Sequence, residues 1–323
     1  MMQQTPLFTL GNFEITPYIL CTAVSVLAGL VFYLFNAGNI RARSRVLAAI
    51  LSIPLGLVCA RLFYVLARID YFIEIGFDQA FYYGENMDNI WGGIRGAALW
   101  GAVGGTALAL LLSAKITRVK ASAMMDSAAP AAALIIALYR LCEYSGGEGI
   151  GPMVENELLQ FYPLAVPNEF EEWYYSVFLL EALAAFIIFV ILLTKCRSLT
   201  GGYRARAFLV MYCSSQVFLE SLRRDNYLRW LFIRVSMLTA AVIIGFMLIA
   251  AVIRRARRPE SERMPLRRLI FCVAAVLVCV ALVVLIEFGL DKSADLNNSI
   301  GYLLEMLLCI AFGFASGHVI MKN

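Results

Sequence analysis

DSAAPAAALIIALYRLCEYSGGEGIG, residues 126–151, starts as an apolar helix and ends in a cluster of charge and glycine. An arginine at the edge of lipid is costly to hold unless it meets an anion or lines a polar cavity. Arg140 sits where the apolar run stops. The glycines that follow let the backbone turn tightly and come close to a ligand. Glu148 lies eight residues past Arg140, so one turn brings both into the same pocket. The stretch reads as the end of a membrane span that carries a site, and Arg140 argues for an anionic lipid headgroup there.

The rest of the chain agrees with a membrane setting. Its 323 residues are 61% hydrophobic and 15% charged, with mean hydropathy +0.77. Soluble domains carry about 25% charge and about 45–50% apolar residues. A spanning helix needs about 20 apolar residues to cross about 30 Å of hydrocarbon. Runs of that kind cover 17–36, 46–68, 96–114, 123–142, 174–194, 203–222, 231–253, 269–290 and 300–320. These nine predict an all-α polytopic bundle, and 203–222 is the weakest because Glu220 and several polar residues interrupt it.

The loops alternate in charge. One set holds Arg41, Arg43 and Arg45, then Lys115, Arg118 and Lys120, then Lys195, Arg197, Arg204 and Arg206, then seven arginines in 254–268, and Lys322. The other holds Asp70, Glu74, Asp78, Glu85 and Asp88, and later Glu148, Glu155, Glu157, Glu169, Glu171 and Glu172. An excess of Lys and Arg on one side predicts the N-terminus outside and the C-terminus inside. A count of nine, being odd, agrees with termini on opposite sides. Because the basic residues act as topology signals, the net charge of +4 makes no case for nucleic acid. No secretory signal peptide is expected, since MMQQTPLFTLGNFEI lacks a basic n-region. The eight cysteines fall mostly in or beside spans with no CxxC pair, which points to packing. With His318 the only histidine, no metal site is expected.

The arginine-rich connector at 254–268 divides the chain into a membrane domain at 1–253 and a two-span extension at 269–323. The extension carries Glu287 near one end and Glu305 within its second span. Its basic connector is attracted to anionic lipid. The two large outer loops, 69–95 and 143–173, are acidic and rich in aromatics, among them Tyr71, Phe72, Phe77, Phe81, Tyr82, Tyr83 and Trp91, then Phe161, Tyr162, Phe170 and Trp173. Tyrosine and tryptophan favour the headgroup level; such loops either lie on the outer interface or cover a cavity that opens outward. Inverted repeats, the usual sign of a transporter, are absent from the sequence.

Several charged groups fall at membrane depth: Arg61, Arg95, Arg140, Glu181, Glu220, Arg223 and Arg224. All but Glu181 fall in or near the outer half of their predicted spans. Gln216, Glu220 and Arg223 are spaced i, i+4 and i+7 and share one helix face. Glu220 has three candidate partners, Arg223 and Arg224 on its own helix and Arg140 across the bundle. Buried ion pairs that fix helix register are one account of this set. A chamber for a phosphate headgroup is the other, since arginine presents a planar fork of donors suited to phosphate oxygens.

Over residues 15 to 253 the sequence resembles the prolipoprotein diacylglyceryl transferase family. The family motif, D-x-x-x-P followed ten residues on by R-x-G-N-x-x-N-G-E-x-x-G, is matched in register by Asp126, Pro130, Arg140, Gly147, Glu148 and Gly151. Weaker echoes are Arg61 in CARLFYVL, the segment WGGIRGAALWGAVGG, Glu181 in LLEALAAFIIF, Tyr212, Glu220 and Arg223 in MYCSSQVFLESLR, and SMLT near 236. The resemblance implies a seven-span core in a bacterial plasma (inner) membrane, with two spans appended. It implies transfer of a diacylglyceryl group from phosphatidylglycerol to the lipobox cysteine of a prolipoprotein signal peptide, with no metal or other cofactor. Arg140, Glu148 and Glu143 are then the catalytic candidates. Arg140, Arg223, Arg61, Glu220, Tyr212, Gly147, Gly151 and Gln216 are the candidates for holding phospholipid.

The sequence also departs from the family pattern. A third-span histidine is replaced by Leu99 or Trp100, the two motif asparagines by Glu143 and Gly146, and a sixth-span arginine by Gln216. Glu143 stands one helical turn past Arg140, where it serves either as a substitute base or to neutralise that arginine. The alternative activity is a catalytically silent relative that binds an anionic phospholipid or a lipoprotein partner.

Overall fold

The computed structural model describes residues 7–10, 13–36, 38, 40–76, 97–168, 170–224, 228–230, 233–257, 264–290 and 297–322. Arg95, the aromatics Phe77, Phe81, Tyr82, Tyr83 and Trp91, the acidic Asp78, Glu85, Asp88 and Glu169, and the connector residues 258–263 lie outside them. Of Glu287 only the helical backbone is described. Long helices dominate: α1 (Pro17–Asn36), α2 (Ala42–Ala67), a short α3 (Ile69–Ile75), α4 (Leu99–Thr117), α5 (Ala121–Gly146), α6 (Val177–Thr194), α7 (Tyr203–Leu222), α8 (Val235–Arg257), α9 (Leu266–Leu290) and α10 (Asn297–Lys322). Three two-stranded hairpins sit between them: β1 (Phe8–Leu10) with β2 (Phe13–Ile15), β3 (Ala165–Pro167) with β4 (Trp173–Tyr175), and β5 (Arg229–Trp230) with β6 (Ile233–Arg234).

Eight of the described helices are long and apolar enough to cross a bilayer. The chain is thus a multi-pass membrane protein of the all-α class, with helical spans and only short hairpins between them. The exception among the nine sequence runs is α7, which carries Arg204, Arg206, Gln216 and Glu220. Helix ends also differ from the apolar runs. α2 begins at Ala42 and takes in Arg43 and Arg45, since arginine is itself a good helix former. The run at 174–194 begins as a helix only at Val177, because 173–175 pair as β4.

The chain forms two compact units, one of residues 1–205 and 224–235, the other of 206–223 and 236–323. In the first, α2 packs along α4 and α5 packs on α1 and α6. Lipid tails are as apolar as the helices, so packing at close range replaces the hydrophobic drive. The α2–α4 contact shows this. A methyl group at Gly101 would lie 2.3 Å from the Cys59 carbonyl oxygen, and one at Gly105 would lie 2.2 Å from that of Leu55. Tyr33, Ala48, Leu110, Ala114, Met124 and Ala131 form a core among α1, α2, α4 and α5. Leu27, Phe35, Leu66 and Ile116 face outward, a surface suited to lipid.

Asp126, near the start of α5, accepts hydrogen bonds from the amides of Gly202 at 2.7 Å and Ala205 at 2.9 Å. It caps the first turn of α7 from another helix. In the second unit, α9 packs on α10, and Val210, Ala251, Met264, Leu269, Cys272, Val319 and Ile320 share one core. Glu305 of α10 is fully buried.

Candidate functional site

The C-terminus of α5 ends in a glycine-dependent lock. Gly147 takes a left-handed conformation, φ +69. Its amide bonds the Tyr144 carbonyl at 3.1 Å, and the Glu148 amide bonds the Glu143 carbonyl at 3.0 Å. This pair of bonds is the Schellman arrangement, which satisfies the last carbonyls of the helix. Gly149 is also left-handed, φ +73, and a methyl there would lie 2.7 Å from Phe178 Cβ and 3.0 Å from Glu143 Oε2. Its carbonyl accepts from the Phe178 amide at 2.9 Å, at the start of α6. Tyr144 and Phe178 stack at 5.2 Å across the same junction. Beyond Gly149 the chain runs against β4: Gly151 donates to the Tyr175 carbonyl at 2.8 Å, and Val154 to that of Trp173 at 2.7 Å. On the other side the Ile150 carbonyl accepts from the Arg224 amide at 2.9 Å. The glycine loop is therefore bonded on both edges.

Arg140 is linked to this loop through Glu143, whose Oε2 stands 3.0 Å from where a methyl at Gly149 would lie. Its Nη1 donates to Glu143 Oε1 at 2.6 Å and stands 3.2 Å from Glu181 Oε2 of α6. All three side chains are buried, at 4%, 2% and 2% exposure. One guanidinium thus holds two carboxylates on a single nitrogen, and Glu143 is placed to neutralise Arg140. Glu148 is half-buried one residue past the lock. Tyr139 and Tyr18 join α5 to α1 through their hydroxyls at 2.8 Å, next in sequence to Arg140.

Glu181 is the residue that sequence reading set apart from the others. As the eighth residue of the run 174–194 it already lies toward the end that the expected topology puts outside. The helix starts at Val177, so Glu181 is its fifth residue, at the end where α6 receives the glycine loop. The signal available was Arg140 itself: a buried guanidinium on α5 calls for an acid on the next antiparallel helix.

The structure brings Arg140, Glu143, Glu148, Gly147 and Gly151 into one neighbourhood of the first unit. Arg61, also buried, lies on α2 with its guanidinium 5.5 Å from the Tyr64 ring and 5.7 Å from the Phe72 ring. The carbonyl of its neighbour Ala60 accepts from the Ala98 amide at 3.1 Å, so Leu99 and Trp100, first residues of α4, follow that contact. Tyr212, Gln216, Glu220 and Arg223 belong to the second unit. They line one side of α7 and its end, all buried, with Tyr212 stacked on Phe208 at 5.8 Å.

Comparison with known proteins adds one consistent result. The family described as prolipoprotein diacylglyceryl transferase matches residues 5–254. Among individual relatives, the chain is 24% identical over 268 residues to phosphatidylglycerol–prolipoprotein diacylglyceryl transferase 1 of Clostridium perfringens, covering 79% of this chain and 96% of that one. It is 26% identical over 218 residues to the enzyme of the same name from Bacillus licheniformis, 66% and 77% of the two chains. To that from Streptococcus pneumoniae it is 27% identical over 251 residues, 73% and 88%.

Proposed function

We infer the chemistry of this chain from its family: it belongs to the prolipoprotein diacylglyceryl transferases. It is an enzyme that transfers diacylglyceryl from phosphatidylglycerol to a prolipoprotein, as the names of its relatives state. The acceptor atom is the thiol sulfur of a lipobox cysteine. The thiolate forms a C–S bond to the terminal glycerol carbon of the diacylglyceryl group while the C–O bond to phosphate breaks. Glycerol phosphate leaves, and the thiol proton passes to a base. The setting is a bacterial plasma membrane with the N-terminus outside, the orientation that the loop charges favour.

The observation that supports these roles most directly is the buried Arg140, joined through Glu143 to a glycine loop bonded on both edges. A guanidinium carries five N–H donors, so one group holds two carboxylates and a phosphate oxygen together. Arg140 binds the phosphate and stabilises the charge that gathers on it as the C–O bond breaks. Glu143 and Glu181 hold the fork in place. Glu148, half-buried past the lock, takes the thiol proton, because the thiolate is the reactive form of sulfur. Gly147 and Gly151 shape the loop around the headgroup and Arg61 adds a further phospholipid contact; in the second unit Tyr212, Gln216, Glu220 and Arg223 are phospholipid-binding candidates in their own right.

The test uses the full chain in liposomes of labelled phosphatidylglycerol with a lipobox peptide. The thioether product is expected, and Arg140→Ala should lower its rate by about 10²–10³, the usual effect of removing one donor from a charge-stabilising site. Retained phosphatidylglycerol with no thioether would make the chain a lipid-binding relative and overturn the transferase reading.

A further inference from the structure

The family match ends at residue 254, and α9 and α10 lie beyond it. Three contacts fix how α10 meets α7. Arg206 donates from Nη1 to the Ile320 carbonyl at 3.4 Å. A methyl group at Gly317 would stand 3.4 Å from Val210 Cγ1. One at Gly313 would stand 2.9 Å from Ser214 Oγ and 3.1 Å from its Cβ. As the α7 partner advances from Arg206 to Val210 to Ser214, the α10 partner retreats from Ile320 to Gly317 to Gly313. The two helices are antiparallel, and the glycines, four residues apart, share the touching face. Small residues at that spacing let backbones in a membrane approach closely.

The polar residues of α7 take a different side. At 3.6 residues per turn, Val210 and Ser214 lie within about 40° of each other, while Tyr212, Gln216, Glu220 and Arg223 centre roughly 145° away. α10 therefore backs the helix and leaves that polar stripe turned elsewhere. All four stripe residues are buried, at 2%, 1%, 4% and 3% exposure. α7 is also the long helix that falls short of the apolarity of a span, so lipid alone holds it weakly in rotation and depth.

We propose that the α9–α10 hairpin is a positioning element of the enzyme: Gly313 and Gly317 seat it on the back of α7 and set the rotation of the Tyr212, Gln216, Glu220 and Arg223 stripe toward phosphatidylglycerol. This rests on the transferase reading. It assigns the extension a role in substrate binding through α7, and Gly313 and Gly317 are positioning residues that touch no substrate.

The test has three arms on the full chain. Val210→Cys with Gly317→Cys is oxidised in native membranes; a cross-link is expected in the double variant and in neither single one. Gly313→Leu is assayed for transfer and is expected to raise KM for phosphatidylglycerol about tenfold with kcat changed less, a size typical of overpacking. Gly313→Ala is a milder variant for the case in which leucine prevents folding, and Ser214→Gly, which removes the opposing atoms, should restore it. The rate at which a methanethiosulfonate reagent modifies Gln216→Cys, with and without Gly313→Leu, reports the orientation of α7 independently of turnover and should change at least about threefold, as expected for displaced packing. Absence of the cross-link would refute the register. A cross-link with unchanged KM and unchanged labelling would reduce the hairpin to passive packing and sink the proposal. If the parent chain forms no thioether, the transferase reading fails, and the labelling rate alone decides whether the hairpin positions α7.

Discussion

Deleting the two acids on Arg140 singly and together should give losses that do not add. The guanidinium is buried, and both carboxylates approach one nitrogen, at 2.6 and 3.2 Å. Glu143→Ala or Glu181→Ala removes one charge-assisted hydrogen bond, about 1.5–3 kcal/mol. It also relieves the repulsion between two acids held on the same atom, so each single loss nets about 1 kcal/mol. The double variant leaves a buried guanidinium without either acid, which costs about 3–5 kcal/mol. The excess over the two singles is then roughly 1–3 kcal/mol, in the range found for residues in contact. Thermal unfolding in detergent reads this as a midpoint loss of about 2–4 °C per kcal/mol. Of the singles, Glu143→Ala should lose more, because its contact is the shorter. Strictly additive losses would show that the acids do not share Arg140. Singles that each match the double would show that Arg140 needs both, and the reasoning from charge balance would be wrong.

Gly149→Ala should abolish transfer, because a methyl there meets Phe178 and Glu143 in a left-handed backbone, whereas Gly147→Ala, with open space around it, should lose only the conformational term of about 1–2 kcal/mol; initial rates and melting midpoints separate the two. Asp126→Ala should lower stability by about 0.5–2 kcal/mol, the loss of a helix cap, seen as a drop of a few degrees in the midpoint. Gly105→Ala should destabilise by about 1–3 kcal/mol through overpacking against the Leu55 carbonyl. Gly104→Ala, which meets nothing, should hold or gain up to about 1 kcal/mol of helix propensity, and a midpoint for Gly105→Ala equal to or above that of Gly104→Ala would contradict the packing.

The helices are legible in the sequence because a bilayer dictates their length and apolar content. α7 is harder to read, since its polar residues break that signal. Within the site, Arg140 followed by glycines marks its own position, and the spacing from Arg140 to Glu143 offers a one-turn ion pair. Glu181 is legible as a membrane charge, but its pairing with Arg140 is not, and neither is the departure of 173–175 from the apolar run to form β4. The β4 strand pairs with β3 in a hairpin across residues 168–172, and no periodicity of the apolar run announces it. The seat of α10 is similar: Gly313 and Gly317 signal a close contact, but nothing in their spacing names Val210 and Ser214 as the partners.

The seating of α10 on α7 also constrains biogenesis. Ser214 and Gly313 are separated by about 100 residues of chain, which a ribosome adding about 5–20 residues per second makes in roughly 5–20 s. During that interval α7, the least greasy of the long helices, has left the ribosome while the helix that backs it has yet to be translated. Stop codons or frameshifts that remove α10 would freeze the protein in this half-assembled state. Quality-control proteases that survey the membrane would then meet a nascent helix with its serine and arginine side uncovered.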